Sequence, residues 1–343
     1  MALILGLLIF SFIFTSVLII PFINLLYHLK FLRQKQKTKD CLGLRTKIFD
    51  KLHSHKVGTP VGGGLLVIVV VSLLYVLFFP LISFLGVYIT TAYPIKDELN
   101  ILFFSFLSFG LLGLYDDLMK FFGFSRTGFF GLRFRHKFVI QWILGFIIGL
   151  LLWQNLGIDF VHIPFWGIVN LGVWYVPFAA FVVVTFTNAF NITDGLDGLS
   201  CGLLMICLFA FWILSASILD TTLSIFLALW LGSLIAFLYF NVFPARIWLG
   251  DVGALSFGAT LAVVGLLIGK IVAVGVIGGI FMAEGASSFF QILSKSLLKK
   301  KLFTVAPAHL WLQNRGWEEP KVVARAWLAG IILALFGLWL AVI

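Results

Sequence analysis

Residues 188–200 read NAFNITDGLDGLS, two Asn, two Asp, a Thr and two Gly set between apolar runs at 174–190 and 200–217. Each run has about the 20 residues that a helix needs to cross the hydrocarbon of a bilayer. The polar stretch is therefore read as a turn between two membrane spans, with its carboxylates at the edge of the apolar slab. The rest of the chain supports that frame. Of 343 residues, 62% are hydrophobic and 11% charged, far more apolar than a soluble domain.

The apolar runs are continuous and do not alternate with polar residues, which points to helices rather than barrel strands. Ten spans are expected, at 3–26, 64–85, 100–119, 138–156, 174–190, 200–217, 221–240, 252–268, 271–292 and 326–343. The expected fold is an all-α, polytopic membrane protein, one catalytic domain over 1–343. The first run is long and lacks a small-residue cleavage site, so it is read as a retained span. Cys41, Cys201 and Cys207 are odd in number and without ligand spacing, which suggests neither disulfides nor a zinc site.

A net charge of +10 could point to nucleic acid, but its placement along the chain does not. With ten spans, the segments 27–63, 117–137, 190–199, 241–251 and 293–325 share one face. All 24 Lys and Arg except Lys96 and Lys270 fall there. The positive-inside rule makes this face cytoplasmic and puts both termini outside, periplasmic or extracellular. The polar clusters lie on the same face, so the expected active site opens at the boundary of membrane and cytosol. An ion pathway would scatter ionisable groups through the membrane depth; only Glu284 lies well inside a span, and it is read as pairing with a neighbouring helix.

Asp116 and Asp117 close the third span, where negative charge opposes the helix dipole and the two carboxylates repel. A hard divalent cation relieves both problems. Asp251 in WLGDVGAL is the natural third carboxylate, with N-capping of the eighth helix as the competing role. Magnesium, which takes oxygen ligands and substrate phosphates, suits the set, with Asp117 and Asp251 as metal ligands. Lys120 follows Asp117 by three residues, on the same face if the helix continues. Opposing carboxylates with lysines suits a diphosphate. Read from spacing alone, His309 is as well explained as a surface histidine.

These residues resemble the phospho-N-acetylmuramoyl-pentapeptide transferases, within the polyprenyl-phosphate N-acetylhexosamine-1-phosphate transferases. The motifs HKVGTPVGGG, DD, NAFNITDGLDGL, NVFPARIWLGDVGALSFG, GGIFMAEGASSFFQ and GWEEPKVVARAW occur in order over nearly the whole chain. The resemblance implies transfer of phospho-MurNAc-pentapeptide from its UDP carrier to undecaprenyl phosphate in the bacterial cytoplasmic (inner) membrane, giving lipid I and UMP, with Mg2+. Asp116, Asp117 and Asp251, with His309, then match catalytic positions. Asn191, Asp194 and Asp197 match nucleotide-side residues, Trp248 an aromatic that stacks on uracil, and Lys56, Lys120 and Lys137 basic positions near the phosphates. The implied partners are the nucleotide sugar, the polyprenyl acceptor and the bilayer, with a homodimer open and nucleic acid excluded. Two departures stand out: a triple-His loop reads PAHLWLQ, leaving His309 beside Leu310 and Trp311, and Val61 replaces a Thr. A GlcNAc-1-phosphate transferase is the nearest alternative. A lipid-linked sugar transporter would not need three carboxylates at one face.

Overall fold

A computed structural model describes residues 2–32, 56–84, 89–122 and 134–343. Within them lie twelve helices: α1 (Ala2–His28), α2 (Gly63–Phe84), α3 (Ile95–Phe122), α4 (Phe134–Leu156), α5 (Tyr175–Thr193), α6 (Leu199–Ser217), α7 (Thr221–Asn241), α8 (Gly250–Ile268), α9 (Ile271–Ile277), α10 (Gly279–Leu297), α11 (Ala308–Asn314) and α12 (Glu319–Val342). Nine are long and apolar enough to cross a membrane, and the expected spans map onto them with shifts at the ends. The chain is thus an all-α polytopic membrane protein. The one strand pair among the described residues is a hairpin, β1 (Phe160–Ile163) with β2 (Gly167–Asn170), between α4 and α5.

The ninth expected span, 271–292, is not one straight helix. It breaks at Gly278 into α9 and α10, which meet at 81°. Seven residues of α9 rise only about 10 Å. Gly279 of α10 packs on Leu333 of α12 and Gly285 on Ala189 of α5, so α10 runs along the bundle toward the end where α5 finishes.

Helix α8 is the spine of the fold and almost wholly buried. In a hydrocarbon solvent, helices associate through close backbone approach and interhelical hydrogen bonds rather than through a hydrophobic drive. Both devices occur here. Gly113 of α3 lies against the backbone of Asp251 and Val252, and Gly64 of α2 against Gly253. Ser256 Oγ donates to the Phe106 carbonyl at 2.6 Å, 150 residues away in sequence. On the α1–α7 seam, Ser11 Oγ donates to the Leu229 carbonyl at 2.7 Å, and Gly232 meets the Leu8 carbonyl. Between these seams Tyr75, Phe103, Phe106, Phe226, Trp230 and Phe257 interlock edge to face and stacked.

The two ends of the bundle differ in chemistry. At one end Tyr93 Oη donates to the Leu267 carbonyl and Thr221 N–H to the Thr90 carbonyl, and Lys96 and Lys270 flank this end in sequence. There the hairpin region exposes Phe165, Trp166 and Trp174, rings of the kind that favour a membrane interface. The polar motifs gather at the other end.

The α3–α8 approach makes a sharp expectation. A Cβ at Gly113 would stand 2.1 Å from the Asp251 carbonyl oxygen, so one helix must move. Gly113→Ala should destabilise the protein by about 1–3 kcal/mol, the usual cost of overpacking, and should lower turnover by displacing Asp251. Gly275→Ala on α9, where nothing lies within 4 Å, is the neutral control. Thermal unfolding in detergent, with turnover measured in parallel, checks the pair.

Candidate active site

Helix α3 continues past the carboxylates to Phe122, so Lys120 lies on their face as the spacing requires. Its Nζ sits 2.9 Å from Asp116 and 3.7 Å from Asp117, on the same helix, and 2.7 Å from Asp251 on α8. Lys137, from the first turns of α4, reaches Asp116 at 3.1 Å and Asp251 at 2.5 Å. Asn191, near the end of α5, donates to Asp251 Oδ1 at 3.1 Å. Four helices thus deliver three carboxylates, two ammonium groups and an amide to one place, with Asp116 and Asp117 buried.

The structure decides the competing role of Asp251. Leu249 stands at the N-cap of α8, and Asp251 lies in the first turn with its side chain turned to α3 and α4. The carboxylate that serves the open end of α8 is Asp117, whose Oδ2 accepts the Val252 N–H at 3.0 Å. Gly250 permits this: its φ is +78°, and a Cβ there would come within 2.7 Å of that same Asp117 oxygen.

A second cluster lies in the polar turn. Asp197 accepts Lys56 Nζ (2.7 Å) and the Trp248 indole N–H (3.2 Å) at Oδ1, and the Ala245 N–H (3.0 Å) at Oδ2. Lys56 Nζ also donates to Glu319 at 2.5 Å. Trp248 is fixed through its backbone as well, since its N–H donates to the Pro60 carbonyl and its carbonyl accepts from Gly62 and Gly63. The glycine-rich motif after Lys56 therefore zips onto the segment that carries Trp248. Asp194 accepts the Ser200 hydroxyl at 2.5 Å. Loss of solvent raises its carboxyl to about 7 in spite of that bond, and the Asp251 and Asp197 charges add to the rise.

His309 is buried, not the surface histidine that spacing alone allowed. Its Nδ1 lies 3.0 Å from Glu284 of α10, and its backbone N–H donates to the same carboxylate. Nε2 abuts Gly195 so closely that a Cβ there would be 2.6 Å away, so Glu284, through His309, holds α11 against the polar turn. Glu284 pairs with a neighbour as its sequence reading expects.

Every candidate site residue named from sequence thus lies at this end of the bundle. Asp116, Asp117, Lys120, Lys137, Asn191 and Asp251 converge; Lys56, Asp197 and Trp248 form the second cluster; Asp194 and His309 border the turn. Sequence reasoning missed Glu319, hidden in GWEEPKVVARAW beside a second Glu, and gave no partner for Glu284. It also missed Gln141, whose side-chain oxygen accepts Asn188 Nδ2 at 2.8 Å and ties α4 to α5.

The ligand groups of the first cluster are hard oxygen donors, and its two ammonium groups leave one negative charge uncompensated, which fits a hard divalent cation better than a soft one. The carboxylate oxygens are paired with lysines rather than turned to a common point; among the described residues no group of three or more His, Cys, Asp and Glu is arranged as a cage.

Comparison with known proteins identifies the family of the chain. A model of glycosyl transferase family 4 matches residues 99–269, which carry both Asp116–Asp117 and Asp251. A phospho-N-acetylmuramoyl-pentapeptide-transferase from Caldanaerobacter subterraneus subsp. tengcongensis is 36% identical over 286 residues, 83% of this chain and 85% of that protein. Proteins of the same name from Aquifex aeolicus (33% identical, 95% and 91% covered) and Clostridium novyi (32%, 83% of each) match similarly. The chain belongs to the family of phospho-N-acetylmuramoyl-pentapeptide-transferases.

Proposed function

We propose that this end of the bundle is the active site for transfer of phospho-MurNAc-pentapeptide from UDP-MurNAc-pentapeptide to undecaprenyl phosphate, giving lipid I and UMP. One observation carries the site: Asp116, Asp117 and Asp251, from two helices, meet Lys120 and Lys137 at a single lip of an apolar bundle. The relatives described above all bear the muropeptide name, so transfer of GlcNAc-1-phosphate is not favoured. A site at that lip suits the substrates, because the nucleotide sugar arrives from water and the acceptor phosphate from the bilayer. The positive-inside bias supports placing this lip on the cytoplasmic side of a bacterial inner membrane, with both termini outside.

An acceptor phosphate oxygen attacks the β-phosphorus of the donor. The new P–O bond forms as the bond from that phosphorus to the bridging oxygen breaks, and UMP leaves with the electron pair. A phosphomonoester with a second pKa near roughly 6 is already largely ionised at neutral pH, so no strong base is needed. Positioning and charge neutralisation carry such reactions. Lys120 and Lys137 are placed to exchange carboxylate oxygens for diphosphate oxygens. Asp117 and Asp251 would hold Mg2+, which when bound polarises the diphosphate. Asn191 orients Asp251. His309, with Nδ1 spent on Glu284, is left to act through Nε2 at the turn. Trp248, its indole N–H committed to Asp197, offers its ring to uracil.

Purified protein given UDP-MurNAc-pentapeptide or UDP-GlcNAc, each with undecaprenyl phosphate and Mg2+, should release UMP from the first donor only. In that assay Asp117→Asn and Asp251→Asn should each lose on the order of hundred-fold in kcat with the fold retained. Near-normal rates in both variants would remove the first cluster from the chemistry. Stacking on a base is worth about 1–3 kcal/mol, so Trp248→Ala should raise the donor KM well above any fall in kcat, while Trp248→Phe stays mild. For orientation, single cysteines in 308–318 should resist an impermeant thiol reagent added to intact cells and react once the membrane is opened; labelling from outside would put the site on the wrong face.

A further inference from the structure

We infer that Glu319 is a positioning residue for the nucleotide: it sets the attitude of the Trp248 ring through Lys56 and Asp197 without touching substrate. This rests on the reading of Trp248 as the uracil platform. Glu319 lies in the first turn of α12 and is 6% exposed, with Lys56 and Asp197 as deeply covered. Its Oε1 accepts both the Lys56 ammonium (2.5 Å) and the Asp197 backbone N–H (2.7 Å). The same ammonium donates to Asp197 Oδ1, and that oxygen takes the Trp248 indole N–H.

The bonds therefore run in one direction, from α12 to the ring. The backbone pairing of Trp248 with Pro60, Gly62 and Gly63 fixes where its Cα lies but not the rotation of its side chain. The indole N–H ties that rotation to where Asp197 points. Asp197 itself is held at three positions: Glu319 takes its N–H, Lys56 and Trp248 share one carboxylate oxygen, and Ala245 N–H donates to the other.

Lys56 also changes meaning. The family pattern put it among basic positions near the phosphates, but here its ammonium sits between two buried carboxylates, 5.7 Å from the Trp248 ring centroid. Without Glu319 the Asp197 N–H loses its acceptor in a covered site and Lys56 keeps one carboxylate of two. A buried donor without an acceptor is costly enough to move the segment that carries it. The turn 194–198 would then relax, and the indole with it.

The test is a double-mutant cycle on donor KM, using UDP-MurNAc-pentapeptide, with acceptor KM, kcat and thermal unfolding measured alongside. Glu319→Ala should raise donor KM about 5- to 30-fold, leaving kcat at saturating donor and acceptor KM within about threefold of wild type. Glu319→Gln, which keeps an acceptor for the Asp197 N–H but loses the charge, should recover most of that loss; it also serves if the alanine variant does not fold. Added to Trp248→Ala, either change should raise donor KM less than twofold further, because its route to the nucleotide is already gone. Full additivity, or equal rises in donor and acceptor KM, would overturn the inference while leaving Trp248 as platform. A Trp248→Ala enzyme with normal donor KM would overturn both.

Discussion

Three carboxylates crowded at the lip of an apolar bundle repel one another, and two lysines hold them together. Lys120 bridges Asp116 and Asp117 of its own helix to Asp251 of α8, and Lys137 adds α4 to the same knot. Much of the architecture is arranged to make that knot possible. Asp251 can reach α3 only because Gly113 has no side chain at the crossing, and Asp117 can cap α8 only because Gly250 adopts a left-handed turn beside it. Most of the charge is thus balanced within the protein by groups that a diphosphate and a cation can replace. That is the arrangement a phosphoryl-transfer site needs before its substrates arrive, since electrostatic groups already in place pay little reorganisation when the reaction proceeds.

The second cluster works by a different rule. Lys56, Asp197 and Glu319 are covered by protein, where breaking one partner of an ion pair typically costs about 3–5 kcal/mol because the remaining charge stays buried. Exchangeable contacts are ruled out by such burial, and rigidity follows from it. The division is chemically sensible. Lys120 is about one-third exposed and can trade partners, whereas Lys56 is 4% exposed and holds a wall in place. The segment 245–251 joins the two clusters, with Ala245 and Trp248 bonded to Asp197 and Asp251 to Lys120 and Lys137.

Membrane sequence makes the fold unusually legible. Water cannot satisfy backbone groups in hydrocarbon, so apolar runs of sufficient length must be helices, and nine such helices occur near the expected positions. The site was legible for a related reason: charge is scarce in this chain, so NAFNITDGLDGLS and YDDLMK stand out against the runs around them. What sequence concealed depends on three-dimensional approach. The run 271–292 carries one charged residue, Glu284, and no Pro; its break falls at the Gly278–Gly279 pair, a weak signal in a run that also holds Gly275 and Gly285, and Gly278 packs there against Phe186. Glu319 looked like one of two carboxylates starting a helix, where the dipole alone accounts for acidic residues. Its partners lie 122 and 263 residues away in sequence, and no local signal reaches that far.

His309 links the broken helix to the chemistry. Had 271–297 continued straight, Glu284 would lie in the apolar interior of a span, where a lone carboxylate is costly. In the bent arrangement it accepts both the backbone N–H and the Nδ1 side of His309. One carboxylate thereby fixes the ring and the start of α11 together, which are the tasks that additional histidines in the loop could otherwise share. The sequence PAHLWLQ is then structurally self-consistent: Leu310 is buried, Trp311 stacks on Arg315 at 3.9 Å along the outer face of α11, and a single imidazole remains against Gly195. The one ring is oriented by Glu284, and that orientation does not depend on the number of histidines in the loop.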